Sequence, residues 1–555
     1  MGRLSTVTDW LGHTTTYGYG DAWTPDTPTT VTFPSAIGVT ATYGYSNTGN
    51  VTSLAASSTV TSGPAISDSW GQNPDEQVNA TTINSAAATS ETYDGYGHVT
   101  HAANLYTSTS NDVFTVAANG EITTDAPPSG SSTSYAYNSG EELCSVNTSA
   151  SASCTGTPTN GKVFSYTTNG QRASLTPYSS GTPGAVTDYA WNAFGELCNV
   201  ATSATACGTT PTSGTSYSYN GNGVRMSAVT SSSTTDFTWD NVSAGGTPLD
   251  LNDATTTSSG TTNTSYLYGD LLFGGTAPVE QITTTTSGAT VSYLVSNQTG
   301  VQGVYNGSGS SLGAVQEMAV YSVYGNQNFT SGTKVTPFAF QGSYADPTGL
   351  LYLINRYYDP TTDEFLSIDP DVADTDQPYV FTNDDPLNAE DPLGLSLLSA
   401  LKSIGKVVVK IVTVASDLQS GDLAGAAKTL HKTLGVCVNG SAGFGIAGSG
   451  SACIGATGNG KVFTSLTGGG GGGSPNASAG IGFLISNAKT AQQLGRNFSY
   501  GSGSVGEGLS VGGEGAIGTS SNHKTIVVGT FSLNIGGPLP LQFQGGESWT
   551  IVKQW

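Results

Sequence analysis

Apolar and polar residues alternate with a period of two through most of the first 395 positions, in short runs broken by Gly, Asn, Ser and Pro. That period puts every second side chain on one face, so the runs predict β-strands with one buried side. Six stretches share a form: Tyr43-GYSNTGNVTSL, Tyr93-DGYGHVT, Tyr135-AYNSGEELCSV, Phe164-SYTTNGQRASL, Tyr189-AWNAFGELCNV and Tyr217-SYNGNGVRMSAV. Their common form is aromatic-x-aromatic, Asn or Asp, two residues, Gly, then polar-x-apolar. The two aromatics share a strand face, Asn caps locally, and Gly supplies the positive φ of a tight turn. Such a hairpin cannot bury its aromatic face alone, so the hairpins must stack side by side.

The pattern changes at Ser396. Leu397, Leu398, Leu401, Ile404, Val408 and Ile411 recur at helical spacing, with Lys402, Lys406 and Lys410 opposite. This predicts a basic amphipathic helix that packs on its own domain or touches a membrane, although VVVKIVTV also reads as a strand. A second helix is predicted over LAGAAKTLHKTL, from an Asp422 cap to a Gly435 stop. From Val436 to Trp555, small and apolar residues alternate, which predicts a Gly-rich antiparallel barrel or sandwich. Gly468 to Gly473 reads as a hairpin loop, since no Lys-Ser/Thr follows to make it a phosphate loop.

Composition sharpens this picture. The chain has 75 Gly and only 10% charged residues, yet its 26 Tyr, 17 Phe and 7 Trp are spread along it. Disordered chains are poor in aromatics, so a folded all-β protein is expected. Residues 1–395 carry six basic and 34 acidic side chains, a difference of −28, whereas residues 396–555 carry 10 and 5, a difference of +5. Fields of opposite sign can hold two such parts together. The six cysteines fall into three local pairs, Cys144 with Cys154, Cys198 with Cys207, and Cys437 with Cys453. None has CxxC spacing, so the pairs predict disulfides and an oxidising compartment rather than zinc.

The repeated hairpins resemble the YD repeat of the RHS and teneurin families. Met1-GRLSTVTDWLGHTTTYGY matches the middle of a repeat, which predicts a truncated product whose signal sequence lies in a missing N-terminal part. The resemblance is most specific over Pro337-FAFQGSYADPTGLLYLINRYYDP, Phe365-LSIDP and Pro378-YVFTNDDPLNAEDPLGL, which are similar to the RHS repeat-associated core. One departure is Thr362-Asp363-Glu364-Phe365, where the family has Gly-Arg-Phe. The resemblance implies a cocoon-like shell over residues 1–265 and a core with a self-cleaving segment over 266–395. A helical linker over 396–435 and a C-terminal β-domain over 436–555 would follow. It further implies a secreted or cell-surface protein.

Two carboxylates in a dry site share one proton and can activate water against a peptide bond, one as base and one as acid. Asp369 and Asp391 each precede Pro, and Arg356 can orient a carboxylate bidentately. In the RHS family the matching residues support autoproteolysis, which places the cut at Leu395–Ser396. Asp-Pro-x-Gly is also an ordinary turn, so a purely structural reading stands beside this one. The C-terminal domain offers little chemistry. His431 and His523 lack metal spacing, Glu507, Glu514 and Glu547 read as loop carboxylates, and no stripe suits nucleic acid. His98 and His101 would face opposite sides of a strand. No cofactor or metal motif is found, and no turnover activity beyond self-cleavage. Besides membrane disruption by the alternating Gly/apolar β-domain, two classes of function remain. One is polymorphic-toxin delivery, with the chain's own C-terminal domain as the shell's partner and an immunity protein or target-cell component beyond it. The other is a structural or adhesive surface protein.

Overall fold

The computed structural model describes residues 3–395, apart from gaps at 22–23, 26, 85–88, 104–110, 128, 204–205, 245–246, 270–276, 371 and 373–376. It also describes the backbone of six strands between 433 and 554, where side chains are placed only at Cys453, Leu484 and Ser486. The chain forms two units, Met1–Ile404 and Gly405–Trp555.

The first unit is a long antiparallel meander. Eight strands follow in chain order from Thr6–Thr8 to Thr89–Ser90, and a second sheet continues hairpin by hairpin from Thr92–Tyr93 to Gln327–Gly332. The meander therefore runs on past residue 265 before the core segment begins. Among the described residues the helical content of this unit is limited to short turns such as Thr382–Asp384.

Each hairpin is built by its turn. At Asn192 the backbone closes through Asn192 N–H to Glu196 O and Gly195 N–H to Asn192 O, while Asn192 Oδ1 accepts from Phe194 and Glu196 N–H. Gly195 takes φ +82°. Thr167 replaces Asn in one repeat, its Oγ1 accepting from the N–H of Asn169 and Gln171. In the Tyr135 repeat the glycine is displaced by one, and Glu141 occupies the left-handed position at φ +61°. The first aromatic of each pair is buried, as at Tyr43, Tyr135, Phe164, Tyr189 and Tyr217. The second reaches back to the preceding hairpin: Tyr137 Oη donates to Ile122 O, Trp191 Nε1 to Arg172 O and Tyr219 Oη to Leu197 O, at 3.0, 2.8 and 2.7 Å. Disulfides Cys144–Cys154 and Cys198–Cys207 close the loops that follow two return strands. Cys453 is disulfide-bonded as well, and the side chain of Cys437 lies outside the described residues.

Early strands pack on late ones. Val31, Phe33, Leu54 and Ile66 share a core with Ile282, Val291, Tyr293 and Tyr305. Tyr43 Oη donates to Ser296 O across 253 residues of sequence. The core segment adds a small sheet of Tyr344–Ala345, Leu351–Leu353, Arg356–Asp359 and Glu364–Phe365. Its Tyr352, Tyr357 and Leu366 pack under Tyr189, Leu197 and Tyr217 of the hairpins. The turn that departs from the family pattern is made nonetheless. Asp363 stands at φ +64°, the conformation glycine would take freely, and Tyr135 Oη donates to its carboxylate at 3.1 Å.

In the second unit, Thr433–Ala456 pairs along its length with Val462–Ser486. The other edge of Val462–Ser486 takes Thr525–Ile535 at one end and Leu541–Gln554 at the other, and Leu509–Thr519 and Asn497–Val505 complete the circuit. Three expectations change here. Gly468 to Gly473 is not a loop: it lies mid-strand, hydrogen-bonded on both edges and facing other glycines such as Gly448 and Gly545. Thr433 and Leu434 are strand, because they pair with Ser486 and Ile485, so a helix cannot run to Gly435. Glu514 and Glu547 stand within paired strands rather than loops. The rest of both expected helices, with Glu507, His431 and His523, lies outside the described residues.

Candidate functional site

Arg356 opens the strand that follows a tight turn at Ile354 and Asn355. Ile354 holds φ +64°, an unfavourable conformation for a β-branched residue. Asn355 fixes that turn by donating to Leu393 O with both its backbone N–H, at 3.1 Å, and its Nδ2, at 2.8 Å. The chain 38 residues later is thereby tied to the turn.

The three residues singled out in sequence come together. Arg356 Nη2 lies 3.0 Å from Asp369 Oδ2 and 3.3 Å from Asp391 Oδ2. All three side chains are buried, and the guanidinium also lies over the Phe365 ring at 3.6 Å. Burial pulls the Arg356 pKa below its ordinary value, against the opposing pull of Asp391 and Asp369.

The same groups grip the chain leading to Leu395. Asn355 holds Leu393 O, Arg356 Nε donates to Gly394 O, and Asp391 Oδ1 accepts from Leu395 N–H at 2.9 Å. Gly394 sits at φ +66°, where an added Cβ would lie 2.9 Å from Leu353 O and 3.0 Å from Arg356 N. Only glycine fits this approach. Ser396 lies outside the described residues. Two supporting residues went unnoticed in sequence: Asn355, and Gln341, whose Oε1 accepts from Asp391 N–H while its Nε2 donates to Ala389 O. The contacts that recruit Gln341 span 48 to 50 residues, so no local signal marks it. A cavity of about 340 Å³, lined in part by Trp191, Asn355, Arg356 and Ile368, opens beside the guanidinium.

Two other buried arginines form simpler sites. Arg172 and Arg225 stand five residues after the first turn residue, a position that holds Leu143 and Leu197 in sister repeats. Arg172 Nη1 meets Asp359 Oδ2 at 2.8 Å, and Arg225 Nη1 meets both oxygens of Asp346 at 2.9 and 2.7 Å. Burial alone would raise Asp359, but Arg172 holds it below the ordinary carboxylate range; at Asp346 burial outweighs Arg225 and the pKa rises. His98 bonds Asp94 at 2.9 Å and His101 bonds Thr92, so the two histidines serve different neighbours.

No family model matches the chain. It is 28% identical over 247 residues to the tRNA3(Ser)-specific nuclease WapA of Bacillus spizizenii, a match that covers 43% of this chain and 9% of that protein. Among solved structures it is similar to TcdB2-TccC3-TEV, at 15% identity and a TM-score of 0.45, over 71% of this chain and 21% of the other. The Photorhabdus luminescens Tc holotoxin pore with a TccC3 variant gives 16% identity, the same score and the same coverage. The chain thus spans under a tenth of the curated relative it matches.

Proposed function

We propose that this chain is an RHS-type shell protein that cuts itself between Leu395 and Ser396 and frees its basic C-terminal domain, in the manner of a polymorphic toxin. One observation carries the reading. Asp369 and Asp391 meet on a single nitrogen of buried Arg356, and the peptide groups of residues 393–395 are held by the same cluster. One cation and two carboxylates leave a net charge of −1, which one shared proton neutralises in a dry site. The ionised carboxylate takes a proton from water as the water oxygen adds to the Leu395 carbonyl carbon. The protonated one gives its proton to the Ser396 nitrogen as the C–N bond breaks, leaving a carboxylic acid on Leu395, an amine on Ser396 and one proton again on the carboxylate pair. Arg356 and Asn355 hold the chain in place throughout, which lowers the entropic part of the barrier.

The similarity to WapA, named as a nuclease, supports toxin delivery, and the sign change in charge at residue 396 supports a separate released part. Exposure to an oxidising, extracellular setting is supported by the two disulfides of the wall. A second reading rests on Arg172–Asp359 and Arg225–Asp346. These buried pairs join hairpins to the core segment, and on that pattern Arg356 is a third fastening in a structural surface protein.

Intact mass under denaturing conditions separates the two. The wild type yields a fragment beginning at Ser396, and Asp369→Asn and Asp391→Asn remain whole. A wild-type chain that stays intact, or variants that are cut at the same place, would sink the self-cleaving assignment in favour of the structural one.

A further inference from the structure

Away from Arg356, the first turn of the wall meets a strand that arrives 267 residues later. The turn is Asp9-Trp10-Leu11-Gly12-His13, in which Asp9 Oδ1 accepts from the N–H of Leu11 and His13 and Asp9 Oδ2 bonds His13 Nδ1 at 2.7 Å. Glu280, the first residue of the strand Glu280–Thr285, stands against it. One ligand atom from each of Asp9, His13 and Glu280 lies within 4.8 Å of the others.

An identical turn shows what is ordinary and what is not. Asp94-Gly95-Tyr96-Gly97-His98 makes the same contact, His98 Nδ1 to Asp94 Oδ2 at 2.9 Å. An Asp–His pair therefore belongs to the turn and implies no ligand. Among the described residues, the first turn gains a third donor in reach and its twin does not. Glu280 is 1% exposed, and its Oε1 has no hydrogen-bond partner among the described residues. Tyr293, fully buried beside it, turns its hydroxyl to the same carboxylate.

We propose that Asp9, His13 and Glu280 bind one divalent transition cation of the zinc class. Two carboxylates and one imidazole are a donor set such ions accept, and their charge of −2 matches the ion's. Ligands at about 2.0–2.2 Å from zinc stand roughly 3–4 Å apart, a spacing these side chains can reach from atoms already within 4.8 Å of one another. His13 supplies that freedom, since its side chain is 36% exposed and gives the ion a route in. The ion fastens the start of the wall to one of its last strands, a role separate from the cut at Leu395.

The test uses untagged full-length protein and Zn²⁺ alone, followed by titration calorimetry and by thermal unfolding. Wild type binds one ion with micromolar or tighter affinity and unfolds at a higher temperature in its presence. Glu280→Gln weakens that binding at least tenfold and loses the thermal shift, whereas Asp94→Asn, in the twin turn, changes neither. Should Glu280→Gln fail to fold, His13→Asn at the exposed side gives the same reading. Wild type without micromolar binding, or Glu280→Gln and His13→Asn that bind as wild type does, overturns the site.

Discussion

Arg225 and Arg356 are equally buried, yet they are built for different ends. Arg225 faces one carboxylate, Asp346, through both of its oxygens, and lies within cation–π range of four aromatic rings, Tyr217, Phe237, Tyr344 and Tyr352. Asp346, Tyr344 and Tyr352 join its hairpin to the core segment, while Tyr217 and Phe237 belong to the hairpins themselves. Arg356 faces two carboxylates through one nitrogen and spends its Nε on a peptide carbonyl beside a glycine that admits no side chain. A matched pair, rich in aromatic cover, is a fastening. An under-matched cluster that grips main chain is suited to chemistry on that chain.

Removing Asp346 breaks the comparison most violently. Asp346→Ala leaves Arg225 buried without its partner, and urea unfolding of the first unit should lose about 3–5 kcal/mol. Cleavage should persist wherever that variant still folds. A folded Asp346→Ala chain that is no longer cut would erase the distinction between the two arginines.

Proton linkage is the next effect in size. Burial, with Asp112 adding to it, raises Asp125 to about 7, and burial raises Glu364 to about 8. Both are acids whose folded value exceeds the unfolded one, so their neutral forms belong to the folded state. Their contribution is complete below about pH 4 and disappears as pH rises through 7 to 8. Asp359, held low by Arg172, acts in the opposite sense and only in strong acid. Stability measured by urea titration should thus fall by roughly 2–4 kcal/mol between pH 5 and 9. Asp125→Asn and Glu364→Gln together should flatten that slope, and an unchanged slope would remove these two groups from the account.

Asn355→Ala sharpens the comparison on the other side. Losing the grip on Leu393 O should slow the cut about tenfold, while the rate stays the same if Asn355 merely shapes its turn. The smallest change concerns the wall alone. Glu141→Gly relieves a left-handed glutamate and should raise the unfolding free energy by about 1 kcal/mol without altering cleavage.

How much of this was legible follows from the span of each interaction. The hairpins could be read because Asn192 and Gly195 act within five residues. Cys144–Cys154 and Cys198–Cys207 were legible for the same reason. Arg356, Asp369 and Asp391 were found through family resemblance, and nothing in their spacing says that they converge. Arg172–Asp359 spans 187 residues and was not foreseen, although an arginine at a position that is leucine in other repeats was a visible anomaly. The Gly468–Gly473 run was misjudged because glycine usually weakens strands, and here both neighbours are glycine-rich too.

The backward reach of Tyr137, Trp191 and Tyr219 sets an order of events. Each of these hairpins is fastened to the one made before it, so the middle of the wall can zip in chain order, while the first strands finish their core only when residues 282–305 arrive. Residues 337–395 come last and need Arg172 and Arg225 already in place to dock. The Arg356 cluster therefore forms only after the wall exists. Sequence order thus places the Arg356 cluster among the last parts of the first unit to be assembled.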